Sequence, residues 1–166
     1  MNDSAPDHVD KSRRFDSLEQ EAFLNLWRTY DRLHAAEEEL FERYDLTPQQ
    51  YNALRLLRGE GGNKLATLVL GSRLVSRAPD ITRLLDKLEE RGLILRERPA
   101  DNRRMVLIGL TEAGRALLHE LDGPVRDCHA RQLGHLPQDT LRELVSLLQS
   151  ARRPHEEQSS PWLPAV

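Results

Sequence analysis

The stretch from Ser76 to Thr111 constrains the fold more than any other part of the chain. It begins as a polar helix that ends at Arg91-Gly92, since glycine is common just after a helix C-terminus. Two strands, Leu93–Arg98 and Met105–Leu110, are predicted to follow as a hairpin around a basic turn at residues 99–104. Such a helix can read base edges in a major groove, and an arginine-tipped ribbon can reach the minor groove or the backbone.

The residues before this stretch complete a helix-turn-helix pattern. Leu65–Leu70 predicts a short helix, and a turn around Gly71–Val75 leads into the polar helix, which Ser76 is expected to cap. Pro79 then falls in the first turn, where no intrahelical N–H is required. The fold class predicted is mainly α with a small β wing, a winged helix-turn-helix. The buried stripe of the polar helix is predicted to be Ile81, Leu84, Leu85 and Leu88.

Helical patterns also precede this module. Apolar residues recur at helical spacing over residues 18–44. Thr47, Pro48 and Gln50 then have the types expected of a capping box with proline at the first helical position, and that helix should end at Gly59. The glycine-rich turn that follows lacks the Lys-Ser/Thr of a phosphate loop, so it is interpreted as a connector.

Further helices are predicted after the wing. Thr111 is expected to cap a helix that Asp122-Gly123-Pro124 kinks or breaks. A further helix should run to about Gly134, and the last one should begin at Leu136-Pro137 and end near Ala151.

Charge is distributed unevenly along the chain. The net charge is −3, but residues 1–46 hold 6 Lys and Arg against 12 Asp and Glu, whereas residues 64–104 hold 10 against 6. The central module is therefore basic, with a balance of +4, and the first segment is acidic, with a balance of −6. Because local charge governs contact with phosphates, the pattern favours nucleic-acid binding by the module.

Several classes of protein are disfavoured by the sequence. No apolar run approaches the roughly 20 residues of a membrane span, and the polar N-terminus has no signal-peptide core, so a cytoplasmic location is expected. The single Cys128 fits a reducing compartment. The scattered histidines support no metal site, and the chain has no nucleophile elbow, dinucleotide loop or zinc signature, so neither a cofactor nor an enzyme is expected.

Two segments carry a family resemblance. With ITRLLDKLEERGLI and DNRRMVLIGLTEAG at this separation, residues 18–151 resemble the multiple-antibiotic-resistance regulator (MarR) family. The resemblance implies an obligate homodimer with interlocking terminal helices, bound to a pseudo-palindromic operator on double-stranded DNA. It also implies a regulator, typically a repressor, that a small aromatic or phenolic effector releases from DNA. The expected division is a flexible segment at 1–16, a dimerisation helix at 17–46, a DNA-binding lobe at 47–111, dimerisation helices at 112–151 and a flexible tail at 152–166.

The predicted DNA contacts lie in the turn, the polar helix and the wing. Arg77 and Arg83 are expected at base edges, unless one of them instead pairs along the helix with Asp80 or Asp86. Arg73 is expected at a phosphate, with Lys64 and Lys87 as weaker candidates. The full predicted set is Arg73, Ser76, Arg77, Asp80, Thr82, Arg83, Lys87, Asp101, Asn102, Arg103 and Arg104.

The wing departs from the family pattern, which usually reads Asp, any residue, Arg before Leu-Thr. Counting back from Thr111, Arg104 takes the arginine position and Asn102 takes the aspartate position, with Asp101 one residue earlier. Either Asp101 or Asn102 could therefore brace an arginine. Arg104 is the first choice for the minor groove, and Arg103 is the second.

An effector cleft and a redox sensor are further hypotheses. Cys128 could sense oxidation beside Arg126 and His129, but a small buried hydrophobe is the simpler interpretation. A ligand-independent DNA-binding regulator and a winged-helix module that binds protein are the alternative functions. The predicted effector-binding residues, any of which could equally be ordinary packing, are Trp27, Tyr30, His34, Tyr51 and Arg55.

Overall fold

The computed structural model describes residues 15–76, 80–100, 102 and 104–156. Over these residues the chain is mainly helical, with one small antiparallel sheet in the strand order β1-β3-β2. The predicted fold class is confirmed. The elements are α1 (Leu18–Glu42), α2 (Pro48–Gly59), β1 (Leu65–Ala66), α3 (Thr67–Arg73), α4 (Ile81–Glu90), β2 (Ile94–Glu97), β3 (Leu107–Leu110), α5 (Glu112–Leu133), α6 (Gln138–Arg152) and a 3-10 turn (Arg153–His155).

The chain forms two compact units, and the boundary between them falls inside α1, after Ala35. In the first unit, the Ser17 hydroxyl accepts the N–H of Gln20 at 3.1 Å and so caps the start of α1. Most apolar side chains of this unit are exposed, including Phe23, whose ring centroid lies 6.0 Å from that of Trp27. The second unit contains the remaining elements.

The start of α2 matches the sequence prediction. The Thr47 side chain accepts the Gln50 N–H at 3.2 Å, and the Gln50 side chain accepts the Thr47 N–H at 2.8 Å. Pro48 lies in the first turn, where its missing N–H removes no intrahelical hydrogen bond. The capping box is therefore confirmed, and so is the helix end at Gly59.

The helix predicted over residues 65–70 is wrong in its first two residues. Leu65 and Ala66 form β1 and pair with Ile108 and Leu107 of β3. Thr67 adds a further hydrogen bond between the two segments, since its N–H donates to the Val106 carbonyl at 3.0 Å. Because β3 lies about forty residues further along the chain, the periodicity of residues 65–70 could not indicate this pairing. The helix α3 begins only at Thr67.

The polar helix α4 begins later than predicted. Its N-cap is Asp80, whose carboxylate accepts the N–H of Arg83 at 2.9 Å, and its first residue is Ile81. Ser76 is an exposed bend residue and is not the cap. Both residue types favour the N-cap position, and Asp80 lies four residues after Ser76, the cap predicted from the sequence. The buried stripe is as predicted, with Leu85 and Leu88 buried and Ile81 and Leu84 packed against the core.

Pro124 does not break the helix after the wing. α5 runs without interruption from Glu112 to Leu133, so the two predicted helices are one. An internal proline costs roughly 3 kcal/mol or more. Burial of Leu118, Leu121, Val125 and Cys128 on both sides of it offsets that cost, at about 1.5–3 kcal/mol for each large apolar side chain. The predicted cap is confirmed, since the Thr111 hydroxyl accepts the Gly114 N–H at 3.1 Å.

The core lies in the second unit, where α2, α4 and α5 pack around the inner face of the sheet. Gly114 lets the first turn of α5 approach the sheet closely. A Cβ at this position would lie 2.3 Å from the Leu93 carbonyl oxygen and 2.7 Å from Leu110 Cδ1. The glycine is therefore required by the packing of α5.

The C-terminal helix α6 has no buried residue. Helical structure continues through the 3-10 turn to His155, which is beyond the start of the predicted tail at residue 152. Among the helices that the structure describes, none is long and apolar enough to cross a membrane.

Candidate nucleic-acid interface

The polar helix α4 and the wing border one open cavity of about 920 Å³. Thr82 of α4 and Arg98 and Arg104 of the wing all line it. The N-terminal part of α3 completes the lining with Thr67 and Leu68. The helix and the basic ribbon of the sequence prediction thus face the same side of the module.

Arg96 joins the wing to α4. From the middle of β2 its guanidinium reaches Asp86 at 2.5 Å and Glu89 at 3.3 Å, and it donates to the Thr82 carbonyl at 3.2 Å. A planar guanidinium with several fixed donors is suited to such a multiple contact. Sequence reasoning missed this residue, because its partners lie on a different element, seven to fourteen residues back along the chain.

Arg83 and Thr82 occupy the exposed N-terminal half of α4. Because Asp80 accepts the backbone N–H of Arg83, and Asp86 pairs with Arg96, the predicted alternative of an Arg83 ion pair along the helix is not observed. The Arg83 guanidinium makes no ion pair with any residue that the structure describes. It is a cation on the exposed surface of α4.

Two other predicted cations have acidic neighbours. Arg73, in the last turn of α3, pairs with Glu60 at 2.6 Å and is partly exposed. Lys87, near the end of α4, lines a groove together with Glu42 and Asp45. The weaker candidate Lys64 forms an ion pair with Glu97 of β2.

At the tip of the wing, the Asn102 side-chain oxygen accepts the backbone N–H of Arg104 at 3.3 Å. Asn102 therefore shapes the turn by a local side-chain bond to the backbone. Its amide does not brace the guanidinium of Arg104, which is exposed. Arg77, Asp101 and Arg103 lie outside the described residues.

The five candidate effector residues are divided between the two units. In the first unit, Trp27 is 61% exposed and Tyr30 is 57% exposed, and the Tyr30 ring centroid lies 5.0 Å from that of His34. In the second unit, Tyr51 stacks on Phe41 at a centroid distance of 4.5 Å, and burial raises the pKa of its phenol.

The last candidate, Arg55, is exposed on α2. The Tyr51 contact with a core side chain fits a packing role, which the sequence had left as an alternative. The rings of Trp27 and Tyr30, by contrast, are exposed.

Cys128 is buried, and its Sγ lies 3.7 Å from the Ala36 carbonyl oxygen. Burial raises the pKa of this thiol, whereas a reactive cysteine requires a lowered pKa and access to solvent. The environment supports the interpretation as a small buried hydrophobe. Within the described residues, no three His, Cys, Asp or Glu side chains are placed to hold a metal ion.

Helices α3 and α4, which follow one another in the chain and precede the β2–β3 ribbon, define a winged helix-turn-helix protein. Comparison with known sequences identifies the group within this class. The sequence model of the MarR family matches residues 46–106. The HTH-type transcriptional regulator YkoM of Bacillus subtilis, itself uncharacterized, is 30% identical over 142 residues, which are 82% of this chain and 90% of that protein. The chain belongs to the MarR family of transcriptional regulators.

Solved structures agree with this assignment. The crystal structure of a MarR transcription factor from Planctomyces limnophilus is 57% identical, with a TM-score of 0.66 over 81% of this chain and 98% of that chain. CouR from Rhodococcus jostii, bound to p-coumaroyl-CoA, is 25% identical, with a TM-score of 0.70 over 86% and 99%. A mutant MarR from E. coli, complexed with operator DNA, is 23% identical and shares the fold, with a TM-score of 0.71 over 81% and 98%.

Proposed function

We propose that the protein is a homodimeric, sequence-specific DNA-binding regulator that inserts α4 into the major groove and sets the wing against the minor groove. The observation that carries this proposal is the shared cavity, which is lined both by Thr82 of α4 and by Arg98 and Arg104 of the wing. The exposed Arg83 supports it, since a free guanidinium at a major groove can hold guanine through two hydrogen bonds. A structural relative in complex with operator DNA has the same fold.

The homodimer is supported by uncovered apolar surface. On α6, Val145 is 54% exposed and Leu147 is 60% exposed, and on α1 both Phe23 and Trp27 are exposed. Large apolar side chains left exposed on a folded chain are expected where a partner covers them. Two copies would cover these helices and hold two α4 helices at a fixed spacing, which suits a pseudo-palindromic operator.

Recognition should be tested first on DNA selected from a randomised duplex library. Binding of that DNA and of random DNA is measured by fluorescence anisotropy at several salt concentrations. We expect affinity to fall steeply with salt, with a logarithmic slope of about −0.9 for each phosphate contact. Enrichment of no sequence, with affinity independent of salt, would favour a winged helix that binds protein.

Arg83→Ala separates base recognition from general attraction to DNA. We expect it to reduce discrimination by about 1–3 kcal/mol at defined operator positions while random DNA is bound almost as before. Arg43→Ala is the matched control, because Arg43 is 60% exposed and pairs with Glu39 close to it in sequence. Equal losses for both variants on both DNAs would place Arg83 away from the bases.

The wing assignment is tested by Arg104→Ala, Arg103→Ala and Asp101→Ala. A narrow A·T-rich minor groove attracts a guanidinium, so Arg104→Ala should cost more affinity than Arg103→Ala, and most on operators with A·T-rich flanks. If Asp101 braces an arginine, Asp101→Ala should weaken binding despite removing a negative charge. Tighter binding by that variant would show that the carboxylate only repels DNA.

We also propose that the regulator is a repressor and that a small aromatic compound releases it from the operator. The exposed aromatic rings of Trp27 and Tyr30, together with a structural relative that binds an aromatic acyl thioester, support this class of ligand. Phenols, aromatic acids and aromatic thioesters would be screened for release of labelled operator. Tyr30→Ala should abolish release by a hit while DNA affinity is retained. Release by none of these compounds would favour a ligand-independent regulator.

A further inference from the structure

Arg91, directly after α4, reaches across to the turn that ends α1. Its Nη2 donates to the Tyr44 carbonyl at 3.0 Å, and its Nη1 donates to the Asp45 carbonyl. Its own backbone N–H donates to the Glu89 carbonyl, so the residue is also the C-cap of α4. One side chain therefore links the ends of two helices that are far apart in the sequence.

The turn at the end of α1 has a backbone conformation that the Arg91 contact can stabilise. The Leu46 N–H donates to the Phe41 carbonyl, and the Asp45 N–H donates to the Glu42 carbonyl, both at 3.0 Å. This is the Schellman arrangement, in which a left-handed residue follows the helix. Asp45 takes that position with a φ of 50°, where glycine is the usual residue. The two carbonyls that accept hydrogen bonds from Arg91 belong to this turn, so the contact helps to hold a conformation that an L side chain disfavours.

Charge gives the same contact a second role. α1 and α4 both present their C-termini here, and each helix C-terminus carries partial negative charge and unsatisfied carbonyls. The groove between them is also lined by Glu38, Glu42 and Glu90. A guanidinium between these groups reduces the repulsion between the two helix ends. Hydrogen bonds from a charged donor are stronger than neutral ones, even at a partly exposed site.

Two different arginines thus fix the middle and the C-terminal end of α4. Arg96 attaches its middle to the wing, and Arg91 attaches its C-terminal end to α1. Leu85 and Leu88 hold the helix to the core between them, but apolar contacts alone leave freedom to slide and rotate. A base-reading helix must be placed within a fraction of an ångström for its hydrogen bonds to form.

We propose that Arg91 is a positioning residue for operator discrimination. It sets the angle of α4 relative to the end of α1, and it does so without touching DNA. The proposal rests on the proposed function, in which α4 reads base edges. On this proposal, a shift in the C-terminal end of α1 would be transmitted to α4 through the α1–α2 turn.

The test uses full-length Arg91→Gln and Arg91→Lys, with Arg43→Gln as the control. Arg43→Gln removes the same charge next to the same turn, but its partner Glu39 lies on α1 and not on another element. Each variant is titrated by anisotropy against the selected operator and against random DNA, over a salt series, well below its melting temperature. Thermal denaturation is recorded in parallel.

We expect Arg91→Gln to weaken operator binding by about two- to thirtyfold, the range found for coupling residues outside a binding site. Random DNA should be bound as by the parent chain, and the salt slope should stay unchanged because no phosphate contact is lost. The operator affinity of Arg91→Lys should lie between those of the parent chain and Arg91→Gln, because one ammonium cannot bond both carbonyls as a planar guanidinium does. Arg43→Gln should leave discrimination unchanged.

Other results would overturn the proposal. Equal weakening on both DNAs with a salt slope reduced by about one would make Arg91 a phosphate contact. A lower melting temperature with unchanged discrimination would make it only a stabilising cap. If the parent chain itself binds no DNA, the proposed function fails. If the parent chain discriminates between operator and random DNA, and Arg91→Gln discriminates equally well, only this inference is refuted.

Discussion

Helices α4 and α6 both carry an apolar stripe along a charged surface, but only the α4 stripe is covered within the chain. Leu85 and Leu88 of α4 are 1% and 0% exposed. On α6, by contrast, no residue is buried and Leu147 is 60% exposed. An amphipathic pattern shows that a stripe needs a partner, but it does not show whether the partner belongs to the same chain.

The same contrast separates the core of the second unit from the first unit. That core is formed by residues of the second unit alone, including Leu118 and Leu121 of α5, whereas Phe23 and Trp27 of the first unit remain exposed. The difference indicates that α2, α4 and α5 form a self-sufficient core and that α6 and the first part of α1 depend on a second copy. Three predictions test this contrast, beginning with the largest effect, and a fourth tests the ion pair between Arg73 and Glu60.

Leu88→Ala removes a fully buried side chain of α4 and should lower the free energy of unfolding by about 2–5 kcal/mol. The lost contacts all lie within one chain, so the loss should be the same at low and high protein concentration. Urea denaturation followed by circular dichroism measures it. A loss below about 1 kcal/mol would mean that the α4 stripe is poorly packed.

Leu147→Lys places a charge on the uncovered face of α6 and should leave each chain folded while weakening self-association by about tenfold or more. Ser146→Lys, one residue along the same helix and outside the apolar stripe, is the control. Sedimentation equilibrium gives the dissociation constant for both. A parent chain that is monomeric at micromolar concentration would contradict the dimer directly.

Two glycines of α5 differ in the same way, since Gly114 packs against the chain's own core and Gly123 has no neighbour within 4 Å. Gly114→Ala should destabilise the protein by about 1–3 kcal/mol, because its Cβ would overlap the Leu93 carbonyl. Gly123→Ala meets nothing within 4 Å and should stabilise the helix by about 0.5–1 kcal/mol. Melting temperatures of the two variants should therefore move in opposite directions. If Gly123→Ala also destabilised, a second chain would be indicated at that surface.

The smallest effect concerns the ion pair between Arg73 and Glu60. If Arg73 contacts a phosphate, Glu60 competes with DNA for its guanidinium, and Glu60→Gln should raise affinity for any DNA by about two- to fivefold, the worth of an exposed ion pair. Anisotropy with random DNA measures the change. Unchanged binding with a lower melting temperature would assign the pair to stability alone.

Much of the fold was predictable because its signals are local. The capping box of Thr47 and Gln50, the cap at Thr111 and the end of α4 before Gly92 each depend on residues within one turn of the chain. Errors occurred where distant contacts decided the outcome. β1 exists because β3 pairs with it, and α5 continues through Pro124 because its flanking residues are buried.

The candidate site divides in the same way. Residue types and spacing were enough to predict an exposed Arg83 on a basic helix and an exposed Arg104 on a basic turn. The ion pairs of Arg96 with Asp86 and of Arg73 with Glu60 were not predictable, since a charged side chain can select among many partners once the chain has folded.

The sequence by itself determined the helix-turn-helix with its wing, the basic balance of that module and the family to which the chain belongs. These properties follow from periodicity, caps and charge counts, which act over a few residues. The tertiary structure decided which apolar stripes are covered, that Cys128 is buried, and that Arg91 joins the ends of α1 and α4. Those outcomes depend on surfaces that meet only after folding, where burial and unsatisfied carbonyls select the partner.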